Sequence, residues 1–291
     1  MMKYILMTLL AMLIFLDCHS QDLYPFREAT LWGYRDNQGV VKVEPQFQYA
    51  SKFRYGVAIV AKNDSLGAID NNGKVVIPYK YQYLQPLDSS EFLFGYRAKY
   101  FGEYFMGVMS KDEKVKVPAE YRHITKYNNT YIVTITQDSI IGKGPVGDVR
   151  TSKSFHGLVD SNGKFLIPCE YSYLKWINDS LLVVTQGSAG TSQALFNKKG
   201  EQLTGFEYMV FGDFIEGVAK ARIGDKFGFI HPSGKVAIPV HFDYCEDFSG
   251  GYALIKQQEK WGAIDKSGKV VVKPIYKYEE VKAELNRKYK R

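Results

Sequence analysis

The chain has 291 residues, 45% of them apolar, with 22 Tyr, 26 Gly and a formal net charge of +7. That apolar share excludes a disordered polypeptide, and three cysteines in a chain this long exclude a small disulfide-framed scaffold. A fold of this size buries roughly 75% of its unfolded surface without covalent staples.

Residues 1–20 read as a secretory signal peptide. Lys3 supplies the positive start, and Tyr4 to Leu16 is apolar but too short to span a membrane. Cys18-His19-Ser20 then offers fairly small residues for cleavage before Gln21. Soluble export to the periplasm or cell surface is the preferred reading, with no transmembrane helix after cleavage. Lipid attachment at Cys18 is the alternative, opposed by Leu16 and Asp17, which suit that motif poorly. An uncleaved anchor is the third option.

One phrase then recurs seven times between residues 21 and 281. Its first Gly falls at Gly33, Gly67, Gly107, Gly157, Gly228 and Gly262, with Ala194 in the fifth copy. Six residues on stands a second Gly (Gly39, Gly73, Gly163, Gly200, Gly234, Gly268), replaced in the third copy by Glu113. Eight further on, all seven copies carry an aromatic: Phe47, Tyr81, Tyr121, Tyr171, Tyr208, Phe242 and Tyr276. Spacing kept through seven copies marks a repeat architecture, whose shared residues serve mostly folding. The copies lie near 31–60, 66–97, 104–134, 155–184, 192–221, 226–255 and 260–281, followed by a basic tail, 282–291.

The first copy opens Trp32-Gly33-Tyr34-Arg35-Asp36-Asn37-Gln38-Gly39. Asp bonds its own backbone two residues on and Gly supplies positive φ, so this is a turn, as are those at Asp70, Asp160 and Asp265. In the second copy the turn joins Leu66–Asp70 to Lys74–Ile77, which predicts a β-hairpin. Alternation in Val75-Val76-Ile77, repeated in Val41-Lys42-Val43 and Val236-Ala237-Ile238, places the outer residues on one buried face. Pro45, Pro78, Pro118, Pro168, Pro239 and Pro274 are expected to end that strand, since Pro cannot donate to a ladder. A third strand precedes most hairpins, at Gly56–Val60, Tyr131–Thr134, Leu181–Val184, Gly217–Lys220 and Tyr252–Ile255, and Phe26–Leu31 can serve the first. The predicted fold is all-β: seven three-stranded antiparallel units of about 34 residues, with a short C-terminal helix in Tyr278–Arg291. A propeller-like ring is preferred over an open β-solenoid. Thirty-four residues leave room for only a short fourth strand per unit.

On Trp32-Gly33, Trp261-Gly262 and Phe227-Gly228-Phe229-Ile230, the phrase resembles the WG-repeat family, over about Leu31 to Val281. The resemblance implies a bacterial all-β repeat protein that mediates binding, and it supplies no catalytic residues. The third copy (Met106, Glu113) and the fifth (Gln193-Ala194, with Gly205 at the Pro position) depart furthest from the pattern.

Two insertions interrupt the repeat. Ala98–Glu103 reads as a loop with exposed rings, and Gln137–Phe155 as a second loop that includes Gly142-Lys143-Gly144-Pro145, Arg150 and Lys153. The second lacks the Gly-Lys-Ser/Thr ending of a phosphate loop. Both read as variable surface loops, on the kind of face where repeat proteins often place ligand contacts. Asp64-Ser65-Leu66, Asp138-Ser139-Ile140 and Asp179-Ser180-Leu181 resemble the O-glycan acceptor of one group of Gram-negative bacteria. Asn63, Asn128 and Asn178 begin N-glycan sequons. All sit where turns are expected, and turn chemistry is the preferred reading.

Catalytic patterns are missing: no Gly-x-Ser-x-Gly elbow and no His-Glu-x-x-His. A repeat-wide Asp caps turns and cannot be a unique acid–base pair. His241, Asp243 and Cys245, alternating on one strand, are the nearest approach to a metal site, but ligands from a single strand make poor tetrahedral geometry. His156 stands in the Trp position and reads as packing, while Cys169 and Cys245 read as free buried thiols. Neither cofactor nor metal is expected, and no ligand-binding residue can be named. The positive charge favours acidic partners, and nothing resembles a nucleic-acid module. The preferred function is a non-enzymatic binding or scaffolding protein of the bacterial envelope, contacting an envelope protein. Binding of a carbohydrate or wall polymer is the alternative, and an enzyme the least favoured reading.

Overall fold

The computed structural model describes residues 23–98, 103–145, 147–187 and 189–289. The signal-like residues 1–20 with Cys18, and most of the predicted Ala98–Glu103 loop, lie outside them. The chain divides into two compact units, 1–115 and 116–291. Among the described residues there are seven small antiparallel sheets and one helix, Tyr278–Tyr289.

In the first unit, Tyr24–Glu28, Leu31–Arg35 and Val41–Phe47 form a three-stranded sheet. The second sheet is Tyr49–Ala50, Val57–Lys62, Ser65–Asp70 and Val75–Tyr81, each strand paired with the next. The third runs Tyr83–Pro86, Glu91–Arg97, Tyr104–Ser110 and Val115–Tyr121, and the division between units falls at Val115. In the second unit the sixth and seventh sheets repeat this four-strand order, ending in Val236–Phe242 and Val270–Tyr276. A pair of strands ending in the first-Gly strand is thus common to all seven sheets; among the described residues six add an edge strand from the residues after the preceding aromatic, and six add the proline-bearing strand, which the fifth lacks. The first sheet's leading strand is Tyr24–Glu28 rather than Phe26–Leu31, because Ala29 takes positive φ and turns the chain.

The prolines do not end their strands. Val41–Phe47, Val75–Tyr81, Val236–Phe242 and Val270–Tyr276 each run through the Pro for seven residues. The register explains this: Trp32 pairs with Phe47 and Tyr34 with Val43, so two steps on one strand face four on the other. Pro45 sits in the resulting bulge, where the ladder asks for no donor. The bulge crowds the opposite strand, which is why the first Gly is Gly: a Cβ on Gly262 would meet Val272 O at 2.6 Å and Pro274 N at 2.7 Å. A second shift, Ala68 to Ile77 then Ile69 to Val75, breaks the predicted alternation. Only the third residue of the run is buried (Ile77), while Val75, like Val41, Val236 and Val270, faces solvent.

The second Gly has two roles. Its φ is +77 to +85° in all six copies that carry it. It also rests on the preceding sheet: a Cβ on Gly73 would strike the Val43 side chain, on Gly163 the Lys116 carbonyl, on Gly200 the Leu166 carbonyl. Gly268 leans on Ile238 in the same way. Glu113 alone carries a side chain there, at φ +61°, and uses it: Tyr81 Oη donates to its carboxylate at 2.7 Å and Lys80 pairs with it at 2.7 Å.

The fifth sheet has three strands, Tyr173–Asn178, Leu181–Gln186 and Ser192–Asn197. Ala194 replaces the Gly that close approach requires, and no proline strand follows. Thr204 Oγ1 accepts the Leu195 N–H instead, and isolated bridges Gln193–Tyr208 and Phe196–Gln202 mark what remains of the pairing.

Between sheets, conserved aromatics and aliphatics fill successive core layers: Tyr34, Phe47 and Ile69 in one, Leu158, Leu182 and Phe196 in another, Phe229, Phe242 and Ile264 in a third. The helix covers the last layer. Val281 is fully buried against Leu254, Ala263 and Val272, with Leu285 partly buried beside it. Glu280 reaches back to accept the Lys277 N–H at 2.8 Å, and Arg287 and Lys288 pair with Glu284 on the solvent side.

Two outcomes follow. Gly262→Ala should cost about 1–3 kcal/mol in urea unfolding because backbone must move, whereas Gly142→Ala, with open space around its Cα, should stay within about 0.5 kcal/mol. The second concerns acid. Burial works to raise the Asp36 carboxyl, but the N–H groups of Val40 and Gln38 and the Lys42 ammonium outweigh it and hold it below the ordinary 3.8. At Asp265 the Ser267 hydroxyl, then the Lys269 and Ser267 N–H groups, act likewise against desolvation. Folded values below unfolded ones mean stability fully present above the ordinary carboxylate range and lost as pH falls through the depressed values. The thermal midpoint should therefore fall between about pH 4 and pH 2 by calorimetry, and less steeply in Asp36→Asn with Asp265→Asn.

Candidate functional site

The repeat consumes most of its own polar groups. Asp70 Oδ1 accepts the Asn72 and Lys74 N–H groups, both at 2.9 Å, and Asp160 holds Asn162 and Lys164 at 2.8 and 3.0 Å. Asn197 does the same for Lys199 and Glu201. His241 Nδ1 lies 2.8 Å from Pro239 O, Asp243 binds the Lys226 ammonium and the Gln258 N–H, and Cys245 is buried beside Phe229 and Phe248. A break between Phe242 and Tyr244 separates the strands, so these three side chains do not share the predicted face. No group of three or more His, Cys, Asp or Glu suited to a metal occurs among the described residues. His156 Nδ1 lies 3.0 Å from Thr134 Oγ1 with its ring edge-on to Tyr173, and burial, then His123, draws its pKa down.

What the fold leaves outside is a second aromatic, two residues after the conserved one. Tyr49, Tyr83, Tyr173, Tyr244 and Tyr278 occupy this place, with His123 and Val210 in the other two copies. The chain bends at Gln48 and passes from one sheet to the next, so the first ring is inward and the second outward: Phe47 is 2% exposed, Tyr49 51%. In the seventh sheet the outer rings join with the residue that leads the glycine strand. Tyr244 lies 5.5 Å from Phe227 and 5.9 Å from Trp261, and Trp261 lies 4.9 Å from Tyr278, a row of four rings with each neighbouring pair edge-to-face. Lys220, Arg222 and Lys282 sit over Tyr244, Phe227 and Tyr278 at 5.7, 5.6 and 4.0 Å. The Phe/Tyr-x-Tyr spacing is present in the sequence, and the invariant ring is its inner member.

The insertion Gln137–Phe155 is not a loop. Thr130–Gly144 and Gly147–Asp160 pair from Thr130–Asp160 out to Gly144–Gly147. Their neighbours in the sheet stop pairing at Thr134 and His156. Residues 136–143 therefore project roughly 27 Å as a two-stranded ribbon whose outer edges carry no ladder partner among the described residues. A bulge ejects Ile141, which with Ile140 is about two-thirds exposed (66% and 58%). Asp138-Ser139-Ile140 lies within this ribbon, not in a turn, and Asp138 accepts the Ser152 hydroxyl at 2.5 Å. The other two such tripeptides are in turns: Asp64 has φ +58°, and Asp179 accepts Tyr127 Oη and Asn128 Nδ2.

Surface cavities among the described residues accompany these features. One, of about 470 Å³ in the first unit, is lined by Tyr49, Lys52, Arg54, Leu66, Tyr83 and neighbours. A second, of about 390 Å³, lies between the seventh sheet and the helix, with Glu246, Asp247 and Lys282. A third, of about 570 Å³, is lined by Asn178, Lys198, Lys199 and Pro232. No helix among the described residues is long and apolar enough to cross a membrane.

A family model described as "WG containing repeat" matches residues 32–64, 67–93, 157–188, 195–227, 227–261 and 261–278. The unmatched stretch holds the third copy, with Met106 and Glu113, and the projecting ribbon. No curated protein matches the chain. Among solved structures it is similar to "Crystal structure of the eukaryotic initiation factor" at 10% identity, over 86% of this chain and 84% of that one, with TM-score 0.34. Hsv2 of Kluyveromyces lactis matches at 9% identity over 73% and 71%, with TM-score 0.29. A chain of the COPII outer coat vertex on membranes matches at 11% over 85% and 82%, with TM-score 0.28. Similarity this low says nothing about ligand or activity.

Burial sets the reactivity of the two thiols. Desolvation raises Cys169 to about 11 and Cys245 to about 12. Both are free, Cys245 fully buried and Cys169 partly. Dithionitrobenzoate at about pH 8 should leave Cys245 unmodified in the native chain and react with both within seconds in denaturant, because only the thiolate attacks.

Proposed function

The chain belongs to the family of WG containing repeats, and on that footing we propose that it is a non-enzymatic binding and scaffolding protein of the bacterial cell envelope. One observation carries this reading. The residues repeated in every copy are spent on turns, bulges and core, while half-exposed aromatics recur at the same place in the repeat: Tyr49 in the first unit and Tyr173 and Tyr244 in the second are 51, 53 and 40% exposed. Such spacing suits several weak contacts made at once, whose combined strength exceeds that of any single one. The projecting ribbon adds a free strand edge and the Ile140–Ile141 tip, to which an extended partner segment can add a strand. The signal-like residues 1–20 support export, and the net charge of +7 supports acidic surroundings.

A photo-reactive amino acid placed at Ile141, Tyr173 or Tyr244 in growing cells should give discrete cross-links to envelope protein or wall material. The same residue at Lys74, on a solvent-facing turn, should give none. Absence of adducts at all three positions, with the chain folded and recovered from the envelope fraction, would rule the reading out.

A further inference from the structure

Within the aromatic edges just described, and resting on the reading of them as contact surfaces, the second and seventh sheets differ in an informative way. Tyr49, Leu66 and Tyr83 occupy the places that Tyr244, Trp261 and Tyr278 hold in the seventh. There the Trp261 ring lies between the two tyrosines, 5.9 Å from one and 4.9 Å from the other. Leu66 has no ring to put in that place, and a cavity of about 470 Å³ opens among Tyr49, Leu66 and Tyr83, within the range of small-ligand sites. The missing indole leaves a space bounded by aromatic and apolar side chains, of the kind a flat six-membered ring can enter.

Charge differs as well. The loop after the edge strand reads Ser51-Lys52-Phe53-Arg54 in the second sheet and Glu246-Asp247-Phe248-Ser249 in the seventh. The two Phe residues do the same packing, Phe53 against Tyr34 and Phe248 against Phe229. The flanking residues carry opposite charges. Lys52 and Arg54 line the cavity, are exposed, and have no carboxylate partner among the described residues; Arg54 lies over the Tyr55 ring at 5.2 Å. Gln85 Oε1 accepts the Tyr83 hydroxyl at 2.8 Å, which holds that ring and leaves the Gln85 amide N–H groups available to donate to a sugar hydroxyl. The other two cavities lack this combination: Glu246 and Asp247 line one, and no aromatic lines the other.

We infer that this cleft is a binding site for an acidic saccharide, with a uronate ring against Tyr49 and Tyr83 and its carboxylate on Lys52 and Arg54. Aromatic faces take the C–H face of a sugar, and a guanidinium with an ammonium takes the carboxylate.

The test is calorimetric titration of the full chain with galacturonic acid trisaccharide, its neutral galactose counterpart, and inorganic phosphate. The acidic trisaccharide should bind saturably and weaken with salt, the neutral one should bind about tenfold or more weakly, and phosphate should not compete at equal concentration. Leu66→Trp, which installs the residue found at Trp32 and Trp261, should fill the cleft and abolish binding with the unfolding midpoint unchanged or raised. Lys52→Gln with Arg54→Gln, both on the surface, should weaken it about tenfold or more, which keeps the test decisive if Leu66→Trp misfolds. Equal binding of the neutral sugar, competition by phosphate alone, no saturable binding, or unchanged affinity in the variants would each overturn the assignment. Cross-linking at Ile141 and Tyr173 is independent of this cleft, so failure here with adducts there would dismiss the ligand and retain the broader reading.

Discussion

Everything in this chain depends on how closely one sheet's turn can approach the proline-bearing strand before it. At Gly73, Gly163, Gly200 and Gly234 a carbonyl or side chain of the earlier segment occupies the volume a Cβ would need, as with Lys116 at Gly163 and Leu166 at Gly200. The same residue closes its own hairpin with a φ that side chains resist. One position therefore sets both local geometry and the spacing of neighbours, which explains why it outlasts almost every other feature from copy to copy. Where it is lost, at Glu113, a carboxylate tied to Lys80 and Tyr81 takes over the junction.

That economy decides where recognition can reside. Carboxylates repeated in each copy are held by turn N–H groups, and the conserved rings are inside. The loop after each edge strand and the ribbon 130–160 differ most from copy to copy. A module of this kind changes its contacts without touching its folding rules, because the two sets of residues do not overlap.

The spacing of Gly and aromatic residues made the hairpins, their turns and the all-β class legible, since each answers to local stereochemistry. The strands that run through Pro were not, because the bulge that frees the Pro nitrogen depends on the partner strand's register, as Trp32–Phe47 and Tyr34–Val43 show. Edge strands as short as Tyr49–Ala50 have too few residues to display a period. The ribbon escaped for a different reason: Thr136 to Lys143 packs on nothing, so it shows no alternation of apolar and polar residues. His241, Asp243 and Cys245 alternate in sequence, but the chain breaks direction between them. At the cleft, Leu66 holds a place that varies between copies (Trp32, Met106, His156, Gln193, Phe227, Trp261), so its consequence required knowing that Trp261 lies between two tyrosines.

The closing helix has a meaning beyond solubility. Val43 and Ile238 receive the glycine turn of the sheet that follows them, whereas Val272, their counterpart in the final sheet, is covered by Val281. A helix thus takes the seat over Val272 that a glycine turn fills over Val43 and Ile238. Loss of that helix would bare an apolar surface shaped for a glycine hairpin, and with it a site for unwanted association between molecules.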